Sequence, residues 1–132
     1  MSLVLGVGLG SAADPDELQV LALTTLRDHG FDPRDVCTVA TLHTKTRLPA
    51  VLHLARALEV DVSGHSAATL AAHRVSFPSR RVEATVGTGS VAEAAVLAEG
   101  ALLVVPKTVL GRCTVAVGRR VQRTNQPTLE QR

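Results

Sequence analysis

The sequence predicts a three-layer α/β/α single domain with a mixed, mostly parallel sheet and a C-terminal hairpin. Short apolar segments alternate with helical patterns along most of the chain, which is typical of a parallel sheet covered by helices on both faces. The last two apolar segments are separated by only a short loop, and this spacing favours an antiparallel pair. The chain has 132 residues, enough for one domain.

The first half of the chain carries the clearest element boundaries. An apolar segment, 2–7, is closed by glycine and is predicted to be a buried strand. A helix is predicted from Asp14, because Asp caps helices and Pro15 suits their first position. Gly30 is expected to end that helix. The same reasoning predicts strand 36–42, helix 49–58, a brief strand 60–62 and a short helix that Ser66 caps and that runs through Leu70.

The second half of the chain is less regular and ends in the predicted hairpin. Segment 79–86 fits helix and strand alike and is assigned to a helix. Ser90 and Glu93 have the S-x-x-E spacing of a capping box ahead of an alanine-rich helix. The remaining expectations are strands 102–105 and 113–117, a loop between them that carries Lys107 and Gly111, a domain spanning residues 1–121 and a flexible polar tail at 122–132.

Composition argues against several classes of protein. Apolar residues make up 45% of the chain, so it can bury a core and is not expected to be disordered. Phe31 and Phe77 are the only aromatic residues and the net charge is +2, so the chain lacks the stacking platforms and the basic surface that nucleic acids require. No apolar run is long enough to span a bilayer. We therefore expect neither a nucleic-acid nor a membrane partner.

The two cysteines indicate the redox state of the compartment in which the protein is expected to work. Cys37 and Cys113 each lie inside an apolar segment without metal-binding spacing, so both are predicted to be reduced and mostly buried thiols. The chain begins directly with a strand pattern and lacks the apolar stretch of a signal peptide. These features predict a soluble protein of the reducing cytoplasm.

Ligands of such sheets bind beyond the carboxyl ends of the strands. Several glycines are predicted there, where they let a ligand approach the backbone, and helix N-termini nearby favour anions. Lys45 and Lys107 are the only lysines of the chain, and both fall in these predicted loops. The lysines also fit ordinary solvated loops equally well. The candidate ligand-binding residues are Gly8, Gly10, Ser11, Thr41, Lys45, Gly87, Gly89, Ser90 and Lys107.

Catalytic and metal-binding patterns are sparse. Glu93 and His43 are the candidate acids or bases, although the spacing of Glu93 favours a helix-capping role. Residues 8–13 fit a dinucleotide-binding G-x-G-x-x-A pattern, but the acidic residue expected after the second strand is absent. His43 and His65 both follow predicted strands, yet two unanchored histidines are more often ordinary loop residues. We therefore predict neither a metal nor a cofactor.

Four short motifs, in order and with their spacing, resemble one family. They are VLGVG at 4–8, ATLHTK at 40–45, GSVAEAA at 89–95 and VVPK at 104–107. Together they are similar to CobE and to the homologous C-terminal domain of CbiG, over roughly residues 3–119. The chain departs from the family pattern at Leu9-Gly10-Ser11, where relatives often carry Cys and a basic residue, and at Leu48, where they often carry Glu.

The resemblance implies a role in cobalamin (vitamin B12) biosynthesis. It implies a protein that binds or carries a polycarboxylated precorrin or corrinoid, with other enzymes of the pathway as partners. The alternative is a CbiG-like cobalt-precorrin lactone hydrolase that releases acetaldehyde, alone or with a partner chain. In that case Glu93 or His43 would activate water, and Lys45 or Lys107 would stabilise the oxyanion.

Overall fold

The computed structural model describes residues 2–74 and 88–120. The predicted helix at 79–86, the candidate Gly87 and the predicted tail at 122–132 lie outside these residues. Two single 3-10 turns, Pro33–Asp35 and His43–Lys45, accompany the main elements. In chain order these are β1 Leu3–Leu9, α1 Pro15–Asp28, β2 Val36–Leu42, α2 Pro49–Leu58, β3 Asp61–His65, α3 Ala67–Arg74, α4 Thr88–Ala98, β4 Leu102–Leu110 and β5 Cys113–Arg119.

The five strands form one sheet in the order β3-β2-β1-β5-β4. Strands β1, β2 and β3 are parallel, whereas β5 is antiparallel to both of its neighbours, β1 and β4. Strand β4 therefore runs in the same direction as β1. The predicted mixed, mostly parallel sheet with a C-terminal hairpin is confirmed.

Helices cover both faces of the sheet, which confirms the three layers. On one face, α1 and α2 pack against the larger core cluster, which includes Leu5, Leu18 and Leu54. On the other face, a smaller cluster joins the sheet to α4 through Val4 and Val96. Because both faces are covered, all seven residues of β1 are buried. This explains why the sequence of β1 is a continuous apolar run.

Helix α4 lies unusually close to the sheet at two glycines. A Cβ atom on Gly6 would collide with the carbonyl oxygen of Ala92, and one on Gly118 would collide with the Val96 side chain. The missing side chains let the helix backbone approach β1 and β5 directly. These glycines therefore fix the position of α4 on the sheet.

Several predicted boundaries are confirmed by the observed caps. The Asp14 carboxylate accepts a hydrogen bond from the backbone N–H of Asp16 at 2.9 Å, and α1 begins at Pro15. Gly30 follows α1 with a left-handed φ of 78°. Elements β2 and α2 have the predicted bounds, and α3 begins after Ser66, whose Oγ accepts from the Thr69 N–H.

Other predictions were wrong in extent or environment. Strand β3 occupies 61–65 rather than 60–62, because a weakly apolar edge strand lacks the alternation that the prediction relied on. Strand β4 continues to Leu110, so Lys107 lies in a strand and not in a loop. Cys113 is buried as predicted and both thiols are free, but Cys37 is exposed.

Candidate functional site

The carboxyl ends of four strands meet at one edge of the sheet, here called the carboxyl edge. Strands β1 to β4 all run in one direction, so their carboxyl ends lie on the same side. Gly10 directly follows β1, Lys45 lies in the turn after β2, and Lys107 stands three residues before the end of β4. The topology thus places Gly10 and Lys45 at the carboxyl edge, whereas Lys107 lies inside β4, level with Gly6 in the middle of β1.

Helix α4 points its N-terminus at this edge. Ala92 lies over Gly6, whereas Val96, one turn later, also reaches Gly118. Gly118 pairs with Val4, near the start of β1, so the helix descends from the carboxyl edge towards the opposite edge. The first turn of α4, with its unpaired backbone N–H groups, therefore faces the carboxyl edge.

The predicted capping box of Ser90 and Glu93 is wrong, because α4 begins before Ser90. The helix begins at Thr88, so Gly89 and Ser90 lie inside its first turn and Ser90 is not the capping residue. The carboxylate of Glu93 does not reach back to the helix start. Its Oε2 accepts a hydrogen bond from the backbone N–H of Lys107 at 2.9 Å. Glu93 therefore joins α4 to β4.

The two lysines differ in exposure, and neither has an acidic partner in the part of the chain that the structure describes. Lys45 is half-buried and Lys107 is exposed. Among residues 2–74 and 88–120, neither ammonium group makes an ion pair or a side-chain hydrogen bond. Strands β2 and β4 are separated by β1 and β5, so at the usual spacing of neighbouring strands they lie about 14 Å apart. The two lysines are thus well separated, with Lys45 at the carboxyl edge and Lys107 inside β4.

Two predicted ligand-binding residues lie inside the sheet. Thr41 is fully buried, and its hydroxyl donates to the Val7 carbonyl at 2.8 Å. Gly8 is also buried, and its carbonyl accepts from the Thr114 hydroxyl at 3.1 Å. Both residues stabilise contacts between strands, so Thr41 and Gly8 are unavailable at the surface that a ligand would contact.

The loop after β1 is more open. Gly10 has its carbonyl bonded to the Ala13 N–H at 3.1 Å, which closes a turn. A Cβ atom on Gly10 would meet no other atom within 4 Å, and Ser11 is exposed. This loop therefore leaves space for a ligand beside the backbone.

The structure places His43 and His65 in different surroundings. His43 is exposed at the start of its turn, and its carbonyl accepts from the Thr46 hydroxyl at 3.0 Å. The ring of His65 instead contacts Glu99, with Nε2 and Oε2 2.6 Å apart. Within the described part of the chain, no three His, Cys, Asp or Glu residues are grouped so that they could hold a metal ion.

Glu99 is the centre of a polar cluster that the sequence did not indicate. Its side chain is only 10% exposed, and Oε1 accepts from Nη2 of Arg120 at 2.9 Å. Burial acts to raise the pKa of the Glu99 carboxyl, but hydrogen bonds from Ser63, His65 and Arg120 together hold it below its ordinary value. The members of the cluster come from three parts of the chain that are distant in sequence, namely β3, the residue after α4 and the residue after β5, so no local spacing pattern reports them.

The same arginine reaches the exposed thiol. Nε of Arg120 lies 3.4 Å from Sγ of Cys37, and Nη1 donates to the Glu99 carbonyl at 3.2 Å. Arg120 thus joins the segment after β5 to both the start of β2 and the end of α4. These contacts lie towards the edge opposite the candidate site.

The fold defines a class of α/β domain in which helices cover both faces of a mixed sheet. Within that class, the chain belongs to the family described as cobalamin synthesis G C-terminus, whose model matches residues 3–118. This membership makes it a cobalamin biosynthesis protein of the CobE and CbiG C-terminal type, and it confirms the resemblance that the motifs indicated.

Individual relatives agree with this membership. The chain is 37% identical over 120 residues to protein CobE of a Sinorhizobium species. This match covers 87% of this chain and 78% of that protein. The crystal structure of CobE, a protein from the cobalamin biosynthetic pathway, matches with a TM-score of 0.78 at 29% identity, covering 92% and 93% of the two chains. The cobalamin biosynthesis protein chiG from Agrobacterium tumefaciens matches with a TM-score of 0.70 at 26% identity, covering 91% and 99%.

Among the described residues, no helix combines the length and the apolar character that a membrane span requires.

Proposed function

We propose that this protein binds a polycarboxylated corrinoid or precorrin intermediate at its carboxyl edge, as a non-catalytic binder or carrier. The observation that carries the proposal is that Lys45, in the turn at this edge, and Lys107, in β4 beside the second turn of α4, have no acidic partners for their ammonium groups among the described residues. Family membership supplies the ligand class, because such macrocycles bear several carboxylates around an apolar ring.

The chemistry of the edge suits this ligand. Each lysine can donate a charge-assisted hydrogen bond to a carboxylate. The first turn of α4 offers backbone N–H groups with the positive end of the helix dipole, and it includes Gly89, which has no side chain to block approach. The open loop at Gly10 and Ser11 leaves room for the ring. Two cations at well-separated positions favour an extended polyanion over a compact one.

Visible-absorption titration tests the proposal, because the corrin chromophore reports its own surroundings. Cobyrinic acid, which carries free carboxylates, should bind, whereas its methyl ester should bind much more weakly. Lys107→Ala should weaken binding of the acid by about 1.5–3 kcal/mol if the contact is desolvated. Arg56→Ala, which removes an exposed cation from α2, is the charge-matched control. Equal binding of acid and ester by the parent would contradict the proposal.

The alternative is the lactone hydrolase, and the structure separates its two candidate bases. One carboxylate oxygen of Glu93 is already engaged by the Lys107 N–H, whereas His43 is exposed two residues before Lys45. Release of acetaldehyde from a lactone-containing cobalt-precorrin by the purified protein would favour the hydrolase. Loss of that release in His43→Ala, with binding retained, would then identify the base.

A further inference from the structure

We infer that Glu93 is a positioning residue, whose carboxylate holds a bulge of β4 and thereby fixes Lys107 beside α4. The inference rests on the proposed function in one respect, since Lys107 is taken to contact a ligand carboxylate. It assigns Glu93 a role different from both the helix cap and the general base.

The bulge is visible in the strand register. Val105 pairs with Val117 and Thr108 pairs with Val115, so two residues of β4, Pro106 and Lys107, stand opposite a single residue of β5. Proline has no N–H to donate, and bulges at edge strands are where it is tolerated. The extra residue leaves the regular ladder, so its N–H requires another acceptor.

Glu93 supplies that acceptor from the neighbouring layer. Its Oε2 lies 2.9 Å from the Lys107 nitrogen, and the Glu93 side chain is half-buried. On the other face, Val105 belongs to the core beneath α1, and the Thr108 hydroxyl lies 3.0 Å from that of Thr25 in α1. The bulge is therefore held from both faces of the sheet.

The consequence is a fixed relation between Lys107 and the first turns of α4. Glu93 lies in the second turn of the helix, so its hydrogen bond ties the Lys107 backbone close to the end that faces the carboxyl edge. A lysine side chain has many rotamers, and fixing its backbone lowers the entropy lost when it binds a carboxylate. To hold the Lys107 N–H, residue 93 needs only a hydrogen-bond acceptor, which a glutamine side chain also provides.

A double-mutant cycle tests this role. Affinity for cobyrinic acid is measured by absorption titration for Glu93→Ala and Glu93→Gln, each in the parent and in Lys107→Met. Glu93→Ala should weaken binding about tenfold in the parent and hardly at all in Lys107→Met, because coupled residues are not additive. Glu93→Gln should stay within about twofold of the parent. A tenfold loss that persists without Lys107, or an equal loss in Glu93→Gln, would overturn the inference.

Amide hydrogen exchange separates this inference from the proposed function. The Lys107 amide should be protected in the parent and in Glu93→Gln, and should exchange faster in Glu93→Ala. Asp28→Ala, which removes an exposed carboxylate at the end of α1, is the charge-matched control and should leave this amide protected. Failure of the parent to bind cobyrinic acid refutes the proposed function, whereas equal exchange of the Lys107 amide in all variants refutes the role of Glu93.

Discussion

Nε2 of His65 and Oε2 of Glu99 lie 2.6 Å apart and join the carboxyl end of β3 to the end of α4. The histidine is 17% exposed and the glutamate 10%, so the contact is shielded from solvent. Arg120 binds the second carboxylate oxygen from the other side. One carboxylate therefore joins three segments that are remote in sequence.

Removal of this carboxylate should destabilise the domain. Glu99→Ala leaves two partly buried partners, His65 and Arg120, without their acceptor, and we expect a loss of about 1–3 kcal/mol in the free energy of unfolding. Urea denaturation followed by circular dichroism measures it. Asp28→Ala, which removes an exposed carboxylate, should cost less than about 0.5 kcal/mol. Equal losses in the two variants would show that the Glu99 cluster adds nothing to stability.

The pH dependence of stability should follow Glu99 in the acid range. Because the pKa of its carboxyl is lowered in the folded protein, its contribution is present above the pKa of an unfolded glutamate and is lost as pH falls through the folded value. The difference in unfolding free energy between the parent and Glu99→Gln should therefore shrink as pH is lowered from neutral into the acid range. A difference that stays constant over that range would contradict this linkage.

A methyl group on Gly6 should displace α4. The added Cβ atom of Gly6→Ala would collide with the backbone carbonyl of Ala92, which cannot move without the helix, so we expect a cost of about 1–3 kcal/mol. Gly10→Ala is the matched control, since nothing lies within 4 Å of its added atom. Thermal or urea unfolding of both variants measures the contrast. Similar stabilities would mean that α4 does not rest on Gly6 as described.

The two thiols should react at very different rates. Cys37 is exposed, whereas Cys113 is buried, and burial together with the negative charges of Glu17 and Asp14 raises the pKa of the Cys113 thiol. An aromatic disulfide reagent at neutral pH should label one thiol per chain quickly and the second only on unfolding. Cys37→Ser should abolish the fast phase. A fast phase that survives in Cys37→Ser would show that Cys113 is accessible.

Local signals in the sequence were sufficient for much of the fold. The helix start at Asp14-Pro15 and the bounds of β2 and α2 were predicted correctly, because caps, proline positions and apolar periodicity act within a few residues. Strand β4 was cut short at Pro106, because proline normally interrupts a strand and only tertiary pairing shows that a bulge absorbs it. The segment that carries Lys107 was therefore assigned to a loop.

The candidate site was predictable in outline only. Lys45 follows β2 as predicted, but Lys107 lies inside β4, and burial of Thr41 depends on its bond to Val7, a residue of another strand. The same limit applies to Glu93, whose spacing indicates a cap while its partner lies fourteen residues away in β4. Contacts between elements, unlike caps, leave no pattern in a single sequence.

The position of β5 in the sheet has a consequence for how the chain is made. Strand β5, the last strand among the described residues, is inserted between β1 and β4, and it is their shared hydrogen-bonding partner. During synthesis on the ribosome, the edge of β1 that pairs with β5 stays unpaired until nearly the whole domain has been made. A nascent chain stalled before Cys113 would leave two apolar strand edges exposed at once, those of β1 and β4 that pair with β5. The sheet can thus be completed only once β5 has been synthesised, and pairing of β5 then covers both edges against aggregation.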